Sequence, residues 1–303
     1  MKEKIGNVVL NYQFYKGNDE YSDGDIEDVL LDLVENQDDI IEILKNDDRW
    51  PILYHLSPVR QNILEWYPFK KDANILEVGS GCGAITGVLC RKAKTVTCND
   101  LSKRRSLINA NRNKEFDNLE IMVGNFNDIV FEQKFDYITL IGVLEYANYY
   151  TEGENPFEVF LQKIKKLLNP GGKILIAIEN KFGLKYWAGA REDHTGEYFD
   201  GLKGYQGTES QVRTFAKNEL EEIVKGAGFT EAIFYYPFPD YKFPKQIFSD
   251  DNLPKAEDLI YPRETFDNSR MHLFDETTVF GELVKAEQFP FFSNSFFVEA
   301  FDK

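Results

Sequence analysis

The segment from Ile75 to Leu89, ILEVGSGCGAITGVL, leaves this chain few choices of architecture. An apolar run stops at Gly79, three alternate glycines follow at Gly79, Gly81 and Gly83, and a helical pattern begins near Ala84. Such a loop lets the backbone turn sharply at the end of a buried strand and come close to a ligand before the helix starts. Comparable apolar runs recur downstream as KTVTCND, LEIMVG, FDYITLIG and GGKILIAIEN. They have the texture of strands buried on both faces, with helical patterns between them at about 84–91, 102–115 and 156–168. The order β-α-β-α-β-β-α-β predicts an α/β fold built on a doubly wound, mostly parallel sheet.

The flanks differ from this centre. Residues 1–50 carry 14 acids and 5 bases, more than half of the chain's net charge of −16. Within them Ile26, Val29, Leu30, Leu33, Val34, Ile40, Ile41 and Leu44 recur at helical spacing, predicting an amphipathic helix docked on a core with its acidic face in water. Residues 1–65 are therefore read as an acidic helical extension or lid, and 66–303 as the main domain. After Asn180 the alternation breaks into irregular stretches at about 181–214 and 238–290, the second containing Pro239, Pro244, Pro254 and Pro262. A helix near 217–225 and strand-like runs AIFYYPF and SNSFFVEAF interrupt or close them.

Composition excludes several functions. A net charge of −16 and a pI near 4.8 cannot build a uniformly basic nucleic-acid surface, so no nucleic-acid partner is expected. Cys82, Cys90 and Cys98 are too few for a disulfide framework, and no apolar run resembles a signal peptide or a membrane span. A cytoplasmic location without membrane insertion is the expectation. The oligomeric state is not legible.

The glycine loop alone points only to a nucleoside-containing cofactor, because Gly79, Gly81 and Ala84 also fit the dinucleotide fingerprint. Glu77 narrows the choice. A carboxylate two residues before the first glycine suits a cationic amino-acid group and sits badly beside a pyrophosphate, which favours S-adenosylmethionine over NAD. Asp100 ends the second strand, 21 residues after Gly79, where an acid can accept from ribose hydroxyls of either cofactor.

Taken in order, Glu-x-Gly-x-Gly-x-Gly, the acid ending the second strand, VGNF, FDYITLIGVLEY and LLNPGGKILIAIEN resemble the class I S-adenosylmethionine-dependent methyltransferases over about Ile75 to Phe229. The flanking YHLSPVRQNILEWYPF, ENKFGLKYWAGAREDHTG and YYPFPDYKFP are similar to methyltransferases associated with bacterial surface-polysaccharide biosynthesis. The resemblance implies a Rossmann-like, seven-stranded sheet and S-adenosylmethionine as cofactor. It implies that Glu77 and the backbone at Gly79, Ser80, Gly81 and Gly83 hold the methionine part and Asp100 the ribose. Asn125 would accept from the adenine amino group, with Leu101 and Phe126 flanking the ring. The implied acceptor is a small molecule or a glycan-related compound. A tRNA or protein methyltransferase and a catalytically silent cofactor-binding module are the alternatives.

The acceptor side is read from strand ends, where ligands of open α/β sheets bind. Glu145, Tyr146 and Tyr149 follow the fourth core strand, and Glu179 and Asn180 end the fifth. His194, in REDHTG, carries an imidazole suited near neutral pH to taking a hydroxyl proton. Glu145 could orient an acceptor hydroxyl or amine. Tyr146, Asn180 and His194, with aromatics near Tyr241, are predicted to line the acceptor pocket. The run Phe234, Tyr235, Tyr236, Phe238 and Tyr241 offers rings that could stack on sugars. No local His/Cys spacing suggests a metal site, and none is expected.

Overall fold

The computed structural model describes residues 1–17, 19, 24–36, 39–260 and 270–303. Pro262 and the rest of 261–269, part of the second predicted insertion, lie outside the described residues. Two compact units divide the chain: residues 1–140 with 167–172, and residues 141–166 with 173–303.

In the first unit the strands are β1 (Lys2–Ile5), β2 (Val8–Phe14), β3 (Asn74–Val78), β4 (Thr95–Asp100), β5 (Leu119–Gly124) and β6 (Phe135–Ile141). Their order is β1-β2-β5-β4-β3-β6. All neighbours are parallel except the β1–β2 hairpin at the edge. The buried positions of β3 and β4 bear Ile75, Leu76, Val96 and Cys98, as a strand covered on both faces requires. Successive strands β3, β4 and β5 run to one side of β3, whereas β6 lies on its other side. That reversal makes the carboxyl end of β3, at Gly79, the topological switch point where ligands of such sheets bind.

The second unit holds β7 (Leu168–Glu179) from Lys173 on, with β8 (Glu231–Phe238), β9 (Gln246–Ser249) and β10 (Ser295–Phe301), ordered β7-β10-β8-β9 and antiparallel throughout. Ten strands among the described residues thus replace the expected seven, and the mixture of directions replaces a mostly parallel sheet. The extra strands are the β1–β2 hairpin and β9, which form beyond the alternating centre.

The N-terminal segment is not purely helical. Beside the hairpin its described residues include the helices Ile26–Asn36, Ile40–Asn46, Trp50–Leu56 and Asn62–Glu65, the second started by Asp39, whose side chain accepts from the backbone N–H groups of Ile41 and Glu42. The apolar stripe packs as its spacing predicts: Leu30, Val34 and Ile43 meet Ile52, Leu56, Cys82 and Ile108. Its acidic face is partly paired rather than only solvated. Glu27 lies 2.6 Å from Arg105 and Asp28 lies 3.2 Å from Arg104, so two members of the basic triplet 103–105 anchor the first helix. Asp19 reaches the same place, accepting from the Ser102 hydroxyl (2.9 Å) and the backbone N–H groups of Lys103 (2.7 Å) and Arg104 (3.2 Å) at the start of the helix Lys103–Arg112. Among the described residues no helix is long and apolar enough to cross a membrane.

Candidate active site

Two groups of residues carry chemistry, one in each unit. In the first unit Gly79, Gly81 and Gly83 all have positive φ, at 67°, 53° and 75°. The last two do different work. A Cβ on Gly83 would lie 2.4 Å from Asn109 Oδ1, so this glycine is demanded by packing on the helix Lys103–Arg112, whereas a Cβ on Gly81 would meet nothing within 4 Å. The open space before the half-exposed Gly81 is where a ligand can approach the backbone.

Glu77 lies beneath this loop, 4% exposed. Its Oε2 accepts from the Thr86 hydroxyl (2.6 Å) and the Cys98 thiol (3.1 Å), and burial pushes its carboxyl up to about 7. The carboxylate is therefore only partly ionised at neutral pH, short of the fixed anion that its position in the sequence suggests. Asp100 holds the loop from the other side. Its Oδ2 accepts from Gly81 N–H (2.7 Å) and its Oδ1 from Ser102 N–H (2.9 Å). Ser102 itself caps the following helix, accepting from Arg105 N–H. Each carboxylate oxygen carries two lone pairs, so Asp100 retains acceptor capacity for hydroxyls. Ser80 Oγ is buried and finds no partner among the described residues. Leu101, Asn125 and Phe126 are half-buried at the ends of β4 and β5. The Asn125 side-chain oxygen accepts from Asn127 N–H (2.9 Å), and the Phe126 ring packs 5.8 Å from that of Phe131. An orphaned polar atom, an open glycine backbone and a half-buried aromatic at one sheet edge fit a ligand with amino-acid, ribose and base parts.

In the second unit Glu145 from the turn Leu144–Tyr146, Glu179 at the end of β7 and His194 from the loop that follows converge, each offering an atom within 4.8 Å of the others. His194 Nε2 is 3.5 Å from Glu179 Oε2, and its Nδ1 is 3.2 Å from the Tyr146 hydroxyl. Glu179 Oε1 meets Lys242 Nζ (2.9 Å) and accepts from the Tyr241 hydroxyl (3.2 Å). Lys242 also pairs with Asp193 (2.5 Å), which takes Lys185 at 2.8 Å. Glu192 fixes the loop by accepting from the backbone N–H groups of His194 (2.8 Å) and Thr195 (2.7 Å). Glu145, 1% exposed, leaves Oε2 without a partner among the described residues.

Burial and the Glu179 charge raise the Glu145 carboxyl above the usual range. Burial opposes ionisation of Glu179, but Lys242 and His194 prevail and hold it below the usual range. Burial pushes the His194 imidazole down, yet Glu179 outweighs it and brings the group to about 9. A near-neutral imidazole was the expectation. In the structure His194 keeps its proton at neutral pH because an ionised carboxylate faces it.

Structure and sequence part company at other positions. Asn180 is buried, and its amide donates to the carbonyls of Phe291 (2.8 Å) and Ser293 (2.7 Å), so its side chain is engaged in tying this strand end to the segment before β10. Tyr149 is half exposed and its hydroxyl accepts from Gln211 N–H (3.4 Å), away from the cluster's bonds. The aromatic run is core: Phe234, Tyr236, Phe238 and Tyr241 are all at most 2% exposed, which removes them as a sugar-stacking face. Lys242, Asp193 and Lys185 were not foreseen as site residues. The available signal was Glu179, a carboxylate ending the apolar run ILIAI that needs a buried counter-charge.

Residues 76–176 match the family model described as "Methyltransferase domain". An uncharacterized methyltransferase of Staphylococcus carnosus is 30% identical over 160 residues, covering 52% of this chain and 70% of that protein. The mitochondrial ubiquinone biosynthesis O-methyltransferase of Dictyostelium discoideum is 32% identical over 126 residues, which is 37% of either chain, so this chain spans little more than a third of that relative. Among solved structures, a Thermotoga maritima SAM-dependent methyltransferase described as a possible histamine N-methyltransferase shares 14% identity with a TM-score of 0.48, over 87% of this chain and 98% of that one.

Proposed function

This chain belongs to the class I S-adenosylmethionine-dependent methyltransferases, and from that premise we propose that it methylates an oxygen or nitrogen of a small-molecule or glycan-related acceptor in the cytoplasm. The reading rests on one observation above all, the buried convergence of Glu145, Glu179 and His194 with Tyr146 beside them. Ionisable groups are costly to bury, and buried clusters of them with perturbed titration concentrate at functional sites.

Bound S-adenosylmethionine supplies an electrophilic methyl carbon and a sulfur leaving group. We assign the residues that hold it to the first unit: Glu77, Ser80 and the Gly79–Gly83 loop for the amino-acid part, Asp100 for the ribose, and Leu101, Asn125 and Phe126 for the base. In the second unit Tyr146 and the buried Glu145 orient the acceptor, and His194 with Glu179 governs its proton.

Two outcomes check the cofactor assignment. Asp100→Ala removes the ribose acceptors together with the brace on Gly81, and should weaken cofactor binding by about 1–3 kcal/mol in calorimetry. An unchanged affinity would take Asp100 out of the site. The second outcome is a pH dependence. Glu77 titrates near 7 because it is buried, so a bound cation favours its ionised form and affinity should rise from pH 6 to pH 8, by at most ~10-fold per pH unit. Glu77→Gln should flatten that rise, whereas a flat wild-type profile refutes the contact.

The acceptor is tested directly by incubating purified protein with methyl-labelled S-adenosylmethionine and fractionated host extract. Label in a small molecule or glycan is expected. Label in tRNA, lost as salt is raised, would replace the reading with the nucleic-acid alternative. No label in any fraction, with cofactor still bound, would favour a silent cofactor-binding module.

A further inference from the structure

We propose that Glu145, Glu179 and His194 form a binding site for one divalent cation of the Mn²⁺ or Zn²⁺ kind. The proposal deepens the acceptor reading above and rests on it for its role, though the site itself is argued from this unit's geometry alone. Two carboxylates and an imidazole are a mixed oxygen and nitrogen set suited to such ions.

Spacing is the first ground. At 3.5 Å the contact between His194 Nε2 and Glu179 Oε2 is long for a charge-assisted hydrogen bond, which is about 2.7–2.9 Å. Two atoms bound at about 2.1 Å to a common ion, at angles of 90–110°, stand about 3.0–3.4 Å apart, which is close to what is seen. One atom from each of the three residues lies within 4.8 Å of the other two, near enough for all three to reach a single ion.

The surrounding bonds are the second ground, because metal ligands are held by hydrogen bonds from behind. The other nitrogen of His194 meets Tyr146 (3.2 Å), and the other oxygen of Glu179 takes Lys242 (2.9 Å) and Tyr241 (3.2 Å). Glu145 Oε2 is buried with no partner among the described residues, an expensive state that a cation would relieve.

Charge is the third ground. Four buried carboxylates, Glu145, Glu179, Glu192 and Asp193, share this network with two lysines, Lys185 and Lys242. Binding an ion would displace the protons that His194 and Glu145 otherwise hold, and the four carboxylates would then exceed the two lysines by two charges, the charge of one such ion. An acceptor hydroxyl bound to it would lose its proton more readily, which gives the cluster a chemical task.

The test uses full-length protein stripped with chelator and titrated with Mn²⁺, followed by electron paramagnetic resonance, and with Zn²⁺, followed by calorimetry. One equivalent should bind, and Glu145→Gln and His194→Gln should each weaken binding at least ~10-fold, with circular dichroism and S-adenosylmethionine affinity as checks of the fold. Should both variants misfold, electron spin-echo modulation from an imidazole nitrogen on wild-type Mn²⁺ decides, and its absence overturns the site. No saturable binding of either ion, or equal binding by folded Glu145→Gln, also overturns it and leaves protons on Glu145 and His194 to balance the charge. Labelled methyl transfer that persists in chelator while no ion binds defeats the metal alone; ion binding as expected without any labelled acceptor defeats the acceptor reading alone.

Discussion

Replacing His194 by alanine is expected to lower turnover by ~10²-fold or more, while cofactor affinity stays within about twofold of wild type. The imidazole joins the Tyr146 hydroxyl to the Glu179 carboxylate. Its loss leaves Glu179 neutralised by Lys242, so the fold should survive the change. The effect should fall on turnover, because the residues assigned to the cofactor belong to the other unit. Steady-state kinetics beside calorimetry separates the two quantities. The pH profile adds a sign: His194 stays protonated up to about 9, so if it accepts a proton as a free imidazole the wild-type rate rises toward pH 9. The alanine variant should lose that rise. Turnover within threefold of wild type would remove His194 from the mechanism and leave Glu145 as the next candidate.

Removing residues 1–48 should abolish soluble, folded protein or lower the melting temperature by more than ~10 °C. Two losses add. β2 pairs in parallel with β5 through Val9 opposite Glu120 and Leu10 opposite Ile121, so truncation strips that edge bare. It also uncovers the face on which Leu30, Val34 and Ile43 pack, side chains at most 4% exposed. At ~1.5–3 kcal/mol for each buried aliphatic side chain, these three alone approach the whole stability of an ordinary domain, about 5–15 kcal/mol. A lid would be dispensable, whereas a structural layer would not. Equal melting temperature and cofactor affinity in the truncated chain would show that the segment is an appendage for a partner.

The alternating centre is readable because its signal is local. A buried parallel strand is a run of apolar residues, its turn needs glycine, and its helix follows at once, so β3 to β7 and the helices between them fall where the pattern puts them. The N-terminal hairpin had no such signal. KEKI is mostly exposed, VVLNYQF interrupts its apolar residues with Asn11 and Gln13, and the strand that β2 joins lies more than a hundred residues away. The same limit governs the second unit. Glu145, Tyr146 and His194 can be named from their places after strands, but Lys242 reaches Glu179 only because β10 pairs antiparallel with both β7 and β8, which brings the carboxyl ends of those two strands to one edge. Asn180 and the aromatic run failed for the opposite reason, since a polar or flat side chain at a strand end serves packing as readily as chemistry.

Asp19 gives the start of the helix Lys103–Arg112 an unusual dependence. Two backbone N–H groups that such a helix leaves unsatisfied at its first turn are taken up by a side chain more than eighty residues earlier in the chain. The turn just before them, at Ser102, is bonded to Asp100. The amide hydrogens of Lys103 and Arg104 should therefore exchange with solvent no more slowly than the N-terminal segment opens, however firm the rest of the helix is. A ligand that tightens the Asp100 turn should slow exchange there, and by reciprocity it should slow it across the Asp19 contact as well, so that this end of the chain opens and closes as one cooperative piece with the sheet edge beside it.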